Sequence, residues 1–280
     1  MTPLPTRIPL ALLCAALLAL CAGSATAQGA ERNPPPTPAD WAALARLPDW
    51  SGVWTPNISD QNAQIKGNPV PWQPAVQKVI DRLEADEKAG RPKGLWVDCL
   101  PHGMPGWMIK SHNALELLFT PGRITVLGEV DGNRLRRIYT DGRGHPDDPD
   151  PSFHGHSIGH WEGPAGDTLV VDTVGVLPQT YLAVSEAVGV PNGGNLHVIE
   201  RIRLASPEVL HWTLEIHAPQ VLTKPWTTTR IWFRQRARKY DIAEGVCLQG
   251  YHRTGRDSDG FPAFLPIPQT ALGNPVPPAQ

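Results

Sequence analysis

The 280-residue chain has no large excess of charge of either sign. Its 25 Lys and Arg residues nearly balance its 27 Asp and Glu residues, which gives a formal charge of −2. A protein that binds nucleic acid through phosphate contacts usually carries a clear positive charge, so we expect no nucleic-acid partner. Hydrophobic residues make up 41% of the chain, enough for a folded core, whereas 31 Pro and 26 Gly predict many turns. We expect one loop-rich domain.

Long apolar runs are scarce, and the longest lies at residues 8–22. Arg7 precedes this run and Ala25-Thr26-Ala27 supplies small residues for cleavage, so residues 1–27 are predicted to be a secretory signal. The alternative is an N-terminal membrane anchor, but about 15 apolar residues are fewer than the roughly 20 that span a bilayer. We therefore expect a periplasmic or secreted protein with no membrane span after cleavage.

Cysteine is also rare, and the predicted mature chain keeps only Cys99 and Cys247 of its four cysteines. Exported proteins fold in an oxidising environment, so a disulfide between the two is the simplest expectation. It would close a loop of about 150 residues and stabilise the fold by about 2 to 4 kcal/mol. The alternative is that Cys99, three residues before His102, is a thiolate nucleophile or a metal ligand.

The spacing of apolar residues predicts a mainly β protein with one or two N-terminal helices. Residues 28–50 are predicted to be a lead-in with a short helix, and residues 72–88 repeat apolar residues at helical spacing. From residue 114 apolar and polar residues alternate, so that the apolar residues recur every second position. This alternation predicts strands at 114–120, 123–130, 134–140, 156–161, 168–174, 195–204, 209–217 and 226–235. Because closure removes exposed sheet edges, we expect a single antiparallel up-and-down barrel over residues 51–270, then a Pro-rich tail at 271–280. A β-sandwich is the alternative.

Three motifs occupy the middle of the chain: YTDGRGHP at 139–146, GHSIGHWEG at 155–163 and GDTLVVDTVG at 166–175. They resemble motifs of a family of exported bacterial proteins that are largely uncharacterised, so the resemblance implies no reaction. In addition, Gly52-Val53-Trp54 before a series of strands is similar to the Gly-x-Trp opening of lipocalin-like (calycin) barrels. This weaker resemblance implies a barrel with a pocket, a fold used both by carriers and by cofactor-free lyases, hydratases and isomerases.

Candidate catalytic residues cluster in the first two motifs. Arg137 and Tyr139 share one face of a predicted strand, and Asp141, Arg143 and His145 follow on the adjoining turn. We predict that His156 is the principal general acid or base, with Tyr139, Asp141 and His145 as its catalytic partners. The predicted substrate-binding residues are Arg137, Arg143, Trp161 and Glu162. Ordinary turn chemistry and surface ion pairs would explain the same residues equally well.

Three histidines offer a metal-binding alternative. His154, His156 and His160 lie on one face if the chain is regularly extended there, and such a group could bind Zn or Cu with Glu162 beside it.

Together these patterns predict a cofactor-free periplasmic enzyme, a lyase, hydratase/dehydratase or isomerase. It would use His-centred acid/base chemistry on a small, mostly apolar or aromatic molecule in a barrel pocket. One alternative is a non-catalytic, lipocalin-like carrier of a hydrophobic small molecule. The other is a His-ligated metalloprotein.

Overall fold

The computed structural model describes residues 34–97, 99–129, 133–245 and 253–265. Its contacts divide the chain into residues 1–37 and residues 38–280, and the second unit holds every helix and strand described below. The predicted signal at residues 1–27, the predicted tail at 271–280 and Cys247 lie outside the described residues. The signal and the Cys99–Cys247 disulfide therefore stay predictions.

Four helices lie among the described residues: α1 (Pro38–Leu44), α2 (Ile58–Gly67), α3 (Pro74–Lys88) and α4 (Gly106–Ile109). Both predicted helices are present as α1 and α3. The latter begins at Pro74, whose missing N–H is not needed in the first turn, and it buries Ile80 and Leu83. The polar helix α2 was not predicted, although Asn57 caps it by accepting a hydrogen bond from the backbone N–H of Asp60. None of these helices is long and apolar enough to cross a membrane.

The strands confirm the prediction of a mainly β protein, and each of the eight predicted strands is present. The described strands are β1 (Val53–Pro56), β2 (Leu115–Thr120), β3 (Arg123–Gly128), β4 (Leu135–Tyr139), β5 (His156–Glu162), β6 (Thr168–Val174), β7 (Tyr181–Ala183), β8 (Gly189–Pro191), β9 (His197–Ser206), β10 (Val209–His217), β11 (Trp226–Gln235), β12 (Arg253–Arg256) and β13 (Pro262–Leu265). Strands β7 and β8, and β12 and β13, form separate two-stranded sheets.

The other nine strands form a closed barrel, in the order β1-β11-β10-β9-β6-β5-β4-β3-β2. Neighbouring strands are antiparallel except β4 and β5, which run parallel and pair only at Ile138 with Ser157 and at Tyr139 with Ile158. Two parallel strands need a connection that carries the chain from the end of the first strand back to the level where that strand began. Residues 140–155 form this connection between β4 and β5. The wall of the barrel is therefore joined over only a short length between β4 and β5.

Aromatic side chains fill much of the barrel interior. Trp54, Trp212 and Trp232 are completely buried, and the rings of the last two lie 6.4 Å apart. Trp54 belongs to the Gly-x-Trp motif, and the guanidinium carbon of Arg234 lies 4.5 Å from the centre of its ring. A cation over an aromatic face stabilises this junction between β1 and β11.

Candidate functional site

The predicted catalytic residues meet on the outer face of the barrel wall rather than in a pocket inside it. Successive side chains of a strand point to opposite faces of the sheet. Ile138 and Ser157 are buried and point inward. Their neighbours Tyr139 and His156 must then point outward. The loop after β4 brings His145 back over the same face, where it contacts His156.

A carboxylate and two imidazoles form a hydrogen-bonded chain on this face. Nε2 of His145 lies 3.2 Å from Oδ1 of Asp172, and Nδ1 of His145 lies 2.8 Å from Nδ1 of His156. An ionised carboxylate only accepts hydrogen bonds, so Nε2 of a neutral His145 donates and its Nδ1 accepts. His156 must then donate from Nδ1, which leaves the lone pair on its Nε2. We call these three residues the relay.

The environment of His156 suits a base. Among the described residues no hydrogen-bond partner is present for its Nε2. Partial burial lowers the pKa of His156, and the neighbouring His145 and Arg143 lower it further. The imidazole is therefore neutral at neutral pH and able to take up a proton. The ring of Tyr139 stacks on it with centroids 5.3 Å apart and planes inclined by 25°.

Asp141 and Arg143 form an ion pair beside the relay. Nε of Arg143 lies 2.9 Å from Oδ1 of Asp141, and the Arg143 guanidinium carbon lies 4.1 Å from the centre of the Tyr139 ring. The hydrogen bond from Arg143 holds the pKa of Asp141 below its usual value. Asp141 is therefore ionised at neutral pH and serves to fix Arg143 against Tyr139.

A cleft of about 370 Å³ opens where β4 and β5 diverge. Arg137, Tyr139 and His156 line it on the outer side, together with Pro146 and Pro149 of the connecting loop. The short pairing between the two strands explains the opening. His156, whose Nε2 has no hydrogen-bond partner among the described residues, therefore borders a space large enough for a small molecule.

Asp172 also links the relay to His197 and His217, neither of which was among the predicted site residues. Its Oδ1 accepts a hydrogen bond from Nε2 of His197 at 2.8 Å, and the His197 ring lies 5.6 Å from that of His217. A signal for Asp172 was present, since it interrupts the apolar run Val170-Val171-Asp172-Thr173-Val174 at an outward position. Nothing comparable marks His197, because a polar residue on an outward face is common.

Behind the cleft, a buried ion pair lies inside the barrel. Nη1 of Arg136 donates to Oε1 of Glu200 at 2.9 Å, and Nη2 donates to the other carboxylate oxygen. The same guanidinium donates to the hydroxyls of Ser157 and Thr173, while Nε1 of Trp212 donates to Glu200 at 2.8 Å. Both side chains of this ion pair are almost fully buried.

The three predicted metal-binding histidines do not share a site. Gly155 has φ +67°, which breaks the extended geometry that would align His154 with His156. His154 packs against Trp107 with ring centroids 5.2 Å apart, and burial lowers its pKa to about 4, with a smaller contribution from Arg136. His160 points outward and pairs with Glu162. In the part of the chain that is described, no three His, Cys, Asp or Glu side chains are grouped to hold a metal.

Two predicted substrate-binding residues lie away from the relay. Trp161 points inward and packs against Trp50, with ring centroids 5.3 Å apart. Glu162 lies at the far end of β5, where its Oε1 is 2.9 Å from Nε2 of His160. Of the residues predicted to bind substrate, Arg137 lines the cleft and Arg143 contacts Tyr139 beside it.

Comparison with known proteins does not assign the chain to a family. No protein-family model matches the chain, and no curated protein matches it. The resemblance to exported bacterial proteins therefore stays a prediction.

Proposed function

We propose that the protein is a periplasmic enzyme that transfers protons on a small molecule bound in the cleft, with His156 as the general acid and base. The reaction classes that need only such a residue are lyase, hydratase/dehydratase and isomerase chemistry. The observation that carries the proposal is the hydrogen-bonded relay from Asp172 through His145 to His156, a residue that lines the cleft and whose Nε2 has no partner among the described residues.

The relay stabilises His156 in the protonated form that it adopts after it has taken a proton from the substrate. When Nε2 of His156 takes a proton, positive charge develops on an imidazole that donates to His145. His145 in turn donates to the carboxylate of Asp172, which stabilises that charge. The low pKa of His156 keeps the ring unprotonated beforehand. The same residue then returns the proton, as isomerisation and elimination both require.

The lining of the cleft supports a small, partly apolar substrate. Tyr139, Pro146 and Pro149 present apolar surface, while Arg137 adds a positive charge at the rim. A guanidinium at that point can hold a negative oxygen that develops as His156 removes a proton. The volume of the cleft falls within the range of about 300 to 1,000 Å³ that is usual for small-molecule sites.

The alternative of a carrier that holds its ligand inside the barrel has less support. Such a carrier needs open space along the barrel axis. In this chain Trp212, Trp232 and the Arg136–Glu200 pair are buried there.

Solvent deuterium provides a test that does not require the substrate to be known. We would incubate the mature protein with a periplasmic metabolite extract in D2O and identify by mass spectrometry the compounds that gain deuterium. Isomerases and hydratases both leave solvent hydrogen in a product. The matched control is His160→Gln, which removes an outward histidine from the same strand but away from the relay.

We expect deuterium to enter at least one compound with the wild-type protein and with His160→Gln. We expect His156→Gln to lower the rate by at least about 100-fold, since general acid/base catalysis contributes about 10² to 10⁴. Equal rates for His156→Gln and the wild type would refute the role of His156. Binding of an extract compound without any exchange would instead favour a carrier.

A further inference from the structure

Two histidines lie opposite each other on the outer face of the barrel, outside the relay. His197 begins β9 and His217 ends β10, and they are directly paired across the two antiparallel strands. Their ring centroids are 5.6 Å apart, with planes inclined by 35°. Both side chains are slightly more than one-third exposed, so an ion in solution can reach them.

Each of these imidazoles has a carboxylate at its Nε2. The distance is 2.8 Å from His197 to Asp172 and 2.7 Å from His217 to Glu215. Because the carboxylates only accept, both Nε2 atoms carry a hydrogen, and in the neutral imidazoles the lone pair is therefore on Nδ1. Among the described residues neither Nδ1 has a hydrogen-bond partner. Carboxylates orient histidines that bind metals in this way in many proteins.

The distance between the two rings also suits a shared ion. With metal–nitrogen bonds of about 2.0 to 2.1 Å, two imidazoles on one ion have ring centroids about 5 to 6 Å apart. The observed 5.6 Å lies in this range. Imidazole nitrogen is a preferred ligand of Zn, Cu and Ni but not of Mg or Ca.

We propose that His197 and His217 bind one divalent transition-metal ion of the Zn or Cu class through their Nδ1 atoms. Asp172 and Glu215 orient the two rings, and water completes the coordination shell. This site differs from the His154, His156 and His160 group considered from the sequence. It shares Asp172 with the relay, so a bound ion adjoins the proposed catalytic residues without being required for proton transfer.

The chain contains a matched control for the proposal. His160 and Glu162 repeat the arrangement of Glu215 and His217, with an outward histidine two residues from its carboxylate and a distance of 2.9 Å between them. On the neighbouring strand β6, the residue paired with His160 is Val170 rather than a second histidine. His160→Gln should therefore leave the metal site intact.

The test uses the mature chain without an affinity tag and Cu²⁺ as the probe. Pulsed electron paramagnetic resonance counts the imidazoles bound to the copper ion, and calorimetry with Zn²⁺ measures affinity. We expect two imidazoles in the wild type and in His160→Gln, and one in His197→Gln and in His217→Gln. Glu215→Gln should keep both imidazoles and weaken Zn²⁺ binding by about 10- to 100-fold.

Circular dichroism checks that each variant is folded, which we expect because the substituted side chains are on the outer face. The proposal would be overturned by a copper spectrum that is the same in His197→Gln, His217→Gln and the wild type. It would equally be overturned by loss of binding in His160→Gln, or by the absence of bound Cu²⁺ in the wild type. None of these results depends on turnover, so the site and the proposed function can fail separately.

Discussion

Replacing Arg136 by Met should destabilise the barrel strongly. Arg136 is 2% exposed and Glu200 is 0% exposed, and the two form a bidentate ion pair. Met has a similar length and no charge, so the variant leaves the Glu200 carboxylate buried, with Trp212 as its remaining hydrogen-bond donor among the described residues. Removing one partner of a buried pair costs about 3 to 5 kcal/mol, because the other charge remains without compensation.

Chemical denaturation followed by tryptophan fluorescence measures this change in the free energy of unfolding. For a domain of this size, 3 to 5 kcal/mol corresponds to a fall in Tm of about 6 to 20 °C. The double variant Arg136→Met with Glu200→Leu is the control, and it should be less destabilised than Arg136→Met alone, since no buried charge remains. A loss below about 1 kcal/mol in the single variant would refute the reasoning, because that is the cost typical of an exposed pair.

Three further predictions concern the backbone, pH and the cysteines. Gly155→Ala should lower the free energy of unfolding by about 3 kcal/mol in chemical denaturation, because φ is +67° and the new Cβ would lie 2.5 Å from a carbonyl oxygen. Gly142→Ala, whose new Cβ would have open space around it, should lower it by only about 1 kcal/mol in the same assay. The folded state keeps His154 neutral down to about pH 4, whereas the unfolded chain protonates it near pH 6.5. The free energy of unfolding should therefore fall by roughly 3 kcal/mol as the pH drops from 6.5 to 4. In denaturation curves recorded across this range, His154→Phe should show a weaker dependence of stability on pH. Mass spectrometry after alkylation, with and without reductant, should find Cys99 and Cys247 protected until reduction, and two alkylated thiols in exported, unreduced protein would contradict the disulfide.

Much of the fold could be predicted from the sequence, because its strands have one apolar and one polar face. In β10, Leu210, Trp212 and Leu214 alternate with polar residues, and all three are buried. Helix α2 could not be predicted in this way, because it buries only Gln61 and so has no apolar periodicity. The parallel pairing of β4 and β5 also left no local signal, since it depends on the path of the connection rather than on the strands.

The candidate site was predictable where the chain itself brings residues together. Tyr139, Asp141, Arg143 and His145 are close in sequence, so a single turn places them on one rim. Asp172 comes from a strand farther along the chain, and its position depends on sheet register. The burial of Arg136 and Glu200 could have been inferred, because each lies two residues from an inward apolar residue on its strand and so shares that inward face.

The buried ion pair explains how a site on the outer wall can be held rigidly. The Arg136 guanidinium donates to Ser157 on β5 and to Thr173 on β6, which are paired in register. Ser157 directly follows His156, and Thr173 directly follows Asp172. One interior side chain therefore fixes both strands beside the two ends of the relay. Because Glu200 fixes that guanidinium in turn, the interior positions the outer site although it is largely filled.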